Sequence, residues 1–465
     1  MNFLPSDVSA RRGSPRRAWA SHALAAAVVL ATLAPITLRA QDTSRVKLPP
    51  GGVITLQEAI RIALAQNSSA RFARNSLKLD SLAITQARNQ FQPNLTGSAS
   101  AGQGWLNGTG GDPFSSSVGI SSGLTIYNGG QNRNILRQSR TLAQAGIGDV
   151  GRTQQSVVFN VASDFLALIT QQEQLRVQQE NLTAQEQELT QLQEFVRRGT
   201  RPIGDLYQQQ AAVASTRLAM VNARRGTEVA RVNLIQELVL DPRYDYAFAT
   251  QFDTTDVTQP AFNLDSLVTV AYQQRVDLRA QELRVQAAQT EIAIAEGTRL
   301  PTVSGSVGYG TAFNTAQGGG LTSQVNERRG GSLGVNVAVP ILDRGASSIA
   351  KQRAQVQLEN ELLTLRDLQE SVALDVRRAY LDYVSAGEQL AAAKAQQQAA
   401  ALALQAAQAR YRVGLTTLVE VTLARASLIS AESALVSARS SLVFQRSLMS
   451  YYTGALDPAN VMLGT

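Results

Sequence analysis

The chemistry open to this chain is limited by two residue types that it almost lacks. Its 465 residues include no cysteine and one histidine, His22. Such a chain cannot build a Ser-His-Asp triad, a cysteine nucleophile or a zinc site with thiolate or several histidine ligands. Carboxylates remain, but the sequence shows no compact acidic pair suited to general acid–base catalysis. We therefore expect neither an enzyme nor a bound cofactor or metal ion.

Two similar stretches do place ionisable side chains at matching positions. They are VRRGTRPIGDLYQQQAAV, which begins at Val196, and YRVGLTTLVEVTLARASL, which begins at Tyr411. At an offset of 215, the matched pairs are Gly199 with Gly414, Asp205 with Glu420, and Ala211 with Ala426. A glycine directly after a helix is typical of a helix-turn-helix corner. The simplest interpretation of both acids is that they lie in the first turn of a helix, where the helix dipole favours them.

The two corners belong to a duplication that covers most of the chain. TLQEAIRIALAQN, from Thr55, matches NLDSLVTVAYQQR, from Asn263, at an offset of 208. VGISSGLTIYNGG matches LGVNVAVPILDRG at an offset of 215, which predicts a seven-residue insertion within 310–331, in a surface loop. Each copy predicts a helix, two strands, a long helix, a turn and a returning helix. The first helix is expected over 55–89 and, in the second copy, over 264–296.

The predicted strands alternate between apolar and small polar residues. In TVSGSVGYGTAF, the residues Val303, Val307, Tyr309 and Phe313 share one face. The strand lengths suit a tilted strand that crosses a bilayer, but four strands cannot close a barrel. The other interpretation of the two hairpins is the edge of a soluble β-sandwich. If the strands enter a membrane, several chains must contribute to one closed sheet, because open sheet edges are not tolerated in lipid. Between the strands and the corners, apolar residues recur every seven positions from Leu168 onward. This heptad repeat predicts long coiled-coil helices.

The N-terminus predicts export. A basic region with four arginines precedes the apolar run 24–38, and a cleavage site is expected after Ala40. A single membrane anchor is the alternative, but the run is short and contains Pro35. Segment 1–40 holds five Arg and one Asp of a chain whose net charge is +7, so the mature chain carries only +3. Its charge therefore does not indicate nucleic acid binding.

Together these patterns predict the organisation of the whole chain. The expected segments are a signal peptide at 1–40, a linker at 41–53, a first repeat at 54–250, a linker at 251–262, a second repeat at 263–455 and a tail at 456–465.

Four features of the chain resemble the TolC-type outer membrane efflux family over about residues 54–455. They are the order of elements, the strands led by Pro93 and Pro301, the tandem duplication and the corner pattern G-x-x-x-x-x-[DE]-[LV]. The resemblance implies a mainly α fold with a membrane β-barrel part. In a homotrimer, tandem-duplicated long helical hairpins would form a periplasmic tunnel, and four strands per chain would complete a twelve-stranded barrel in outer membrane lipid. The implied function is a passive exit duct for small molecules, working with a periplasmic adaptor and an inner-membrane pump.

The resemblance also implies a gate at the two corners. The gate acids would be Asp205 and Glu420, and the gate tyrosine would be Tyr411. The family's arginine position is occupied by Thr416, a departure, and Arg201 at the equivalent place in the first corner is the candidate substitute. The residues that would contact the adaptor are Arg198, Gly199, Thr200, Val413, Gly414 and Leu415.

Two alternative functions stay open at this point. The same tube could be the exit duct of a type I protein secretion system. From a different class, the chain could be a secreted coiled-coil structural protein without a pore, which would leave no apolar band for lipid on its hairpins.

Overall fold

A computed structural model describes residues 53–104, 114–249 and 262–456. The predicted signal peptide lies outside these residues, as do the linkers apart from Val53 and Phe262 and the tail apart from Leu456. The described helices are α1 (Leu56–Gln66), α2 (Ser68–Asn89), α3 (Gln131–Arg197), α4 (Ile203–Glu237), α5 (Leu264–Gln274), α6 (Val276–Gly297), α7 (Leu321–Glu327), α8 (Ala346–Arg412) and α9 (Leu418–Tyr452). The described strands are β1 (Val53–Ile54), β2 (Asn94–Gln103), β3 (Phe114–Asn128), β4 (Ala247–Phe248), β5 (Thr302–Asn314) and β6 (Gly330–Ala338).

The duplication is visible in the lengths of the helices. Helices α1 and α5 have 11 residues each, α2 and α6 have 22, α3 and α8 have 67, and α4 and α9 have 35. At a rise of 1.5 Å per residue, α3 and α8 are each about 100 Å long. None of the helices in the described ranges is both long enough and apolar enough to cross a membrane.

The prediction of one continuous first helix in each copy is wrong. In the first copy the helix breaks at Asn67, which has an extended ψ of 132°. The Asn67 side chain accepts a hydrogen bond of 2.8 Å from the Ser69 amide and donates one of 3.1 Å to the Glu237 carboxylate at the end of α4. The second copy breaks at Arg275, whose Nε donates to Asp277 over 3.0 Å. Hydrogen bonds from these side chains to their polar partners stabilise the interruption of the helix, although the apolar periodicity alone favours a continuous helix.

Strands β2, β3, β5 and β6 form one antiparallel sheet in that order. A bulge between Thr125 and Tyr127 interrupts the pairing of β3 with β5. Apart from this bulge, successive residues of each strand alternate between the two faces as the sequence predicts, and residues paired across strands share a face. One face carries the apolar residues Leu95, Val118, Ile120, Leu124, Val303, Val307, Tyr309, Leu333, Val335 and Val337. The opposite face carries serine, glycine, threonine and asparagine, with the alanines Ala312 and Ala338.

The predicted insertion within 310–331 is only partly a loop. Strand β5 continues through Gly310 to Asn314, and the short helix α7 follows before β6 begins. The amide of Gln324, on α7, is buried and donates to the carbonyls of Asn314, Gln317 and Gly319. Because one side chain satisfies three carbonyls, the segment folds back onto the end of β5.

The long helices pack side by side. Helix α3 contacts α2 and α4 on one side and α6 and α9 on the other, and α8 contacts α6 and α9. The predicted heptad position Leu168 is fully buried, but farther down α3 the deepest residues are Val177, Gln185 and Leu192. Since α3 has neighbours on two sides, its buried positions are not confined to one heptad seam. The largest apolar core lies where α1 meets α3 and α4, around Ile60, Val161 and Leu234.

Candidate functional site at the helical corners

Both corners have the same backbone geometry. Gly199 has a φ of 72° and Gly414 a φ of 79°, a conformation that glycine adopts without strain. The amide of Thr200 donates to the Phe195 carbonyl over 3.0 Å, and the amide of Leu415 donates to the Arg410 carbonyl over 2.9 Å. Hydrogen bonds of this span close the ends of α3 and α8 as Schellman motifs. The repeated glycine therefore sets the turn that brings α4 and α9 back.

The acid of the second corner has partners only from its own hairpin among the described contacts. Glu420 accepts a hydrogen bond of 2.8 Å from Arg410 Nη1 on α8 and another from the Thr416 hydroxyl. Arg410 and Glu420 are both about half exposed. Glu420 thus stabilises the corner locally, in the first turn of α9, as the helix dipole predicts.

The acid of the first corner instead contacts the second hairpin. The Tyr411 hydroxyl, on the last turn of α8, donates a hydrogen bond of 2.9 Å to Asp205 Oδ2 on the first turn of α4. Arg201 adds a second link, because its Nη2 donates to the Tyr411 carbonyl over 2.6 Å. Its guanidinium carbon also lies 4.1 Å from the centre of the Tyr411 ring, within cation–π range. Tyr411 is therefore held by two residues of the first corner.

The environment of Tyr411 keeps its phenol protonated. Burial, together with the hydrogen bond to Asp205 and its negative charge, raises the pKa of Tyr411 to about 12, although Arg201 acts in the opposite direction. A neutral phenol is the form that can donate to a carboxylate. The contact is thus fully formed at neutral pH.

The structure brings together three of the four residues predicted for the gate, namely Asp205, Tyr411 and Arg201. Glu420, the fourth residue, instead contacts Arg410 and Thr416 of its own hairpin. The predicted adaptor residues Arg198, Thr200, Val413 and Gly414 line a cleft of about 790 Å³ between the two hairpins. Gly199 and Leu415 lie in the same two turns, and the Leu415 side chain is exposed.

One ion pair in this region was not predicted from the sequence. Arg425 Nη2, on α9, lies 2.5 Å from Glu188 Oε2 on α3, and both side chains are mostly buried. Arg425 is the one charged residue between Glu420 and Glu432 in α9. An isolated charge in such a stretch signals a specific partner, but the sequence does not show that the partner is on α3.

The described residues contain no group of three or more His, Asp or Glu side chains placed to hold a metal ion.

The chain is similar to known proteins in both sequence and structure. The model of the family described as "Outer membrane efflux protein" matches residues 59–238 and 267–450, one match in each copy of the duplication. The chain is 22% identical to the outer membrane efflux protein BepC of Brucella suis over 386 residues, which span 81% of this chain and 80% of BepC. It is 26% identical to the outer membrane protein TolC of Vibrio cholerae over 290 residues, or 60% of this chain and 63% of TolC.

The fold is also similar to a solved channel. A crystal structure of CusC matches with a TM-score of 0.75 at 19% identity, covering 88% of this chain and 95% of CusC. The family model matches most of the chain, and the solved channel has a similar fold. This protein therefore belongs to the outer membrane efflux protein family, whose members are outer membrane channels.

Proposed function

We propose that three copies of this chain form a passive exit duct in the outer membrane, the last stage of a tripartite efflux system. A periplasmic adaptor and an inner-membrane pump would complete that system and supply the energy. The observation that carries this proposal is the four-stranded sheet, whose described residues present one apolar face and two edges without a further strand.

The side chains on the apolar face of the sheet are highly exposed in the single chain, as expected of a surface that contacts lipid. The side chain of Leu333 is 82% exposed in the single chain, and that of Val335 is 69% exposed. A soluble coiled-coil protein would not display such a continuous apolar band to water. This face argues against the alternative of a secreted structural protein. The opposite face, with its serine and glycine residues, suits the wall of a water-filled pore.

The edges of the sheet require further strands. Strand β2 pairs only with β3, and β6 only with β5, within the described residues. Each edge would leave backbone amides and carbonyls unpaired in lipid at a cost of several kcal/mol per group. If β6 of one chain pairs with β2 of the next, three chains close a barrel of twelve antiparallel strands.

Among the described residues, the helices at the two ends of the row carry exposed apolar side chains. On the α2 and α4 side, the exposed apolar residues are Phe72, Leu79, Leu82, Leu218, Val221 and Val232. On the α8 side they are Ile349, Val356, Leu363, Leu374, Leu381 and Leu402. On α2 and α8, several of these residues are spaced seven apart, as in a coiled-coil seam. We assign these two stripes to contacts between neighbouring chains of the trimer.

The corners supply the gate of the proposed duct. Tyr411, Asp205 and Arg201 would hold the two hairpins together at the periplasmic entrance, and opening would require these contacts to break. The corner residues around the cleft would contact the adaptor. The family description and the name of BepC favour small-molecule efflux over type I protein secretion.

Reconstitution of the purified protein in planar bilayers tests the proposal. We expect ion channels of low conductance, because the entrance is latched. A protein that inserts into the bilayer and conducts no ions under any condition would contradict the proposed duct.

A further inference from the structure

We infer that Arg425 and Glu188 form a second latch, which holds the two hairpins of one chain together inside the entrance. Arg425 is then a positioning residue of the closed duct. This inference rests on the proposed function, because a latch has meaning only if the hairpins separate when the duct opens.

The ion pair joins the two hairpins directly. Glu188 belongs to α3 of the first hairpin and Arg425 to α9 of the second. Arg425 lies seven residues after the start of α9, and Glu188 nine residues before the end of α3. At 1.5 Å per residue, the pair is about 10–14 Å beyond the corners along the helices. The pair lines the same cleft as Tyr411, and the negative charge of Glu188 contributes to the raised pKa of the Tyr411 phenol, so the pair adjoins the contacts of Tyr411 and lies farther along the helices.

Arg425 lies between two cavities. Arg425 lines the cleft of about 790 Å³ at the corners and also a cavity of about 480 Å³ farther along the helices. Asn181, Thr216 and other small or polar residues line the second cavity. Because the helices do not pack tightly on either side of it, the ion pair is a principal contact between α3 and α9 at this level.

The pair has the burial that a latch requires. The Arg425 side chain is 10% exposed and the Glu188 side chain 20% exposed. Removing one partner from such a pair leaves the other charge buried without compensation. Separation of α3 from α9 would instead return both charges to water. The pair thus favours the fully closed and the hydrated open arrangements over anything between them.

The duplication shows that the pair is specific to one interface. At the offset of 215, the position of Arg425 corresponds to Gln210 in the first copy, and that of Glu188 to Ala403 in the second. In the proposed trimer, α4 and α8 of neighbouring chains would face each other much as α3 and α9 do within one chain. Those interfaces carry uncharged residues at the matched positions, so this ion pair latches hairpins within a chain and has no counterpart between chains.

A nearby ion pair provides a matched control. Arg217 Nη2 lies 2.6 Å from Glu186 Oε1, two residues from Glu188 on the same helix. This pair joins α3 to α4 within the first hairpin, and its side chains are 63% and 44% exposed. Exposed pairs contribute little, and no separation of hairpins would break this one.

Channel recordings of charge variants test the latch. We expect Arg425→Ala and Glu188→Ala each to raise the open fraction about tenfold or more, tenfold being about 1.4 kcal/mol at 25 °C. The double variant Glu188→Arg with Arg425→Glu should restore the closed state, and Glu186→Ala with Arg217→Ala should leave it unchanged. Single variants that stay as closed as the wild type, or a charge exchange that stays as open as the single variants, would overturn the inference.

Cross-linking tests the same contact without relying on the charge variants to fold. The natural chain has no cysteine, so Glu188→Cys with Arg425→Cys gives one reactive pair per chain. Bridging the pair with a bifunctional maleimide should prevent opening even when Tyr411 is replaced by Phe and Asp205 by Ala. A monofunctional maleimide should allow opening. If the bridged channel opens as freely as the singly modified one, α3 and α9 do not separate there, and the inference fails.

The two failures are distinguishable. A wild-type protein that forms no channel contradicts the proposed function. Channels that respond to changes at Tyr411 but not at Arg425 contradict only the second latch.

Discussion

The hydroxyl of Tyr411 donates a hydrogen bond of 2.9 Å to the carboxylate of Asp205, which lies 206 residues earlier in the chain. The bond connects the last turn of α8 to the first turn of α4 and so joins the two corners of the duplication. Arg201 reinforces it from the first corner by contacting both the carbonyl and the ring of Tyr411. In the proposed duct, this cluster is what keeps the periplasmic entrance narrow.

Removal of this hydrogen bond should open the channel. A hydrogen bond to a charged group contributes roughly 1.5–3 kcal/mol, so Tyr411→Phe with Asp205→Ala should raise the open fraction by about tenfold or more. Single-channel recording in planar bilayers measures this directly. Tyr207→Phe is the control, because Tyr207 is also on α4 but is exposed. Conductance and open fraction equal to those of the wild type would refute the assignment of Asp205 and Tyr411 to the gate.

Alkaline conditions should weaken the same contact. The pKa of Tyr411 is raised to about 12 when the contact is formed. A phenol that opening exposes to water has a pKa of about 10. The contact therefore stabilises the closed state fully below about pH 10 and loses this effect as the pH rises through about 12. The open fraction of the wild type should increase over this window and that of Tyr411→Phe should not. An equal increase in both would assign the effect to other groups.

The two predicted gate acids should differ in their effects. Glu420 bonds to Arg410 and Thr416 of its own hairpin, and the exposed Arg410–Glu420 pair contributes at most about 1 kcal/mol. We expect Glu420→Ala to change the open fraction less than about fivefold, well below the effect of Asp205→Ala. Paired recordings of the two variants make the comparison. If Glu420→Ala opens the channel as much as Asp205→Ala, then Glu420 acts across the entrance and not locally.

Adjacent residues of β6 should respond in opposite ways to a charge. Val335 is on the apolar face of the sheet and Asn336 on the polar face. An arginine facing lipid near the middle of a barrel strand costs about 2–4 kcal/mol, so Val335→Arg should destabilise the folded protein by that amount. Asn336→Arg should have little effect on stability and should make the pore more anion-selective. Denaturant unfolding in lipid vesicles and reversal potentials measure the two effects. The reverse ranking would mean that the faces have been assigned the wrong way round.

Much of this architecture could be predicted from the sequence, because a pattern found in one copy of the duplication can be checked at the matching positions of the other copy. Gly199 and Gly414 fix the same turn, and the alternation around Val303 and Val335 predicts the faces of the sheet. The mainly helical fold with long paired hairpins and the membership of the efflux family are confirmed. The roles of Asp205, Tyr411 and Arg201 in gating remain predictions, although the structure brings these side chains into contact.

The features that could not be predicted from the sequence depend on contacts between residues that are not apparent from local patterns. The breaks at Asn67 and Arg275 lie in helical patterns, and they are stabilised by polar partners that periodicity does not reveal. The helix α7 depends on one buried glutamine, Gln324, that satisfies three carbonyls. The pair of Arg425 with Glu188 spans 237 residues, and neither charge is repeated in the other copy, so the duplication gives no hint of it.

The proposed duct depends most on the closing of the sheet by three chains. Electron microscopy of the protein extracted from outer membranes in detergent measures this directly. The predicted result is a particle with threefold symmetry, in which a twelve-stranded barrel is joined to a helical tube about 100 Å long. A soluble monomer or dimer, with the edges of β2 and β6 unpaired, would contradict the account.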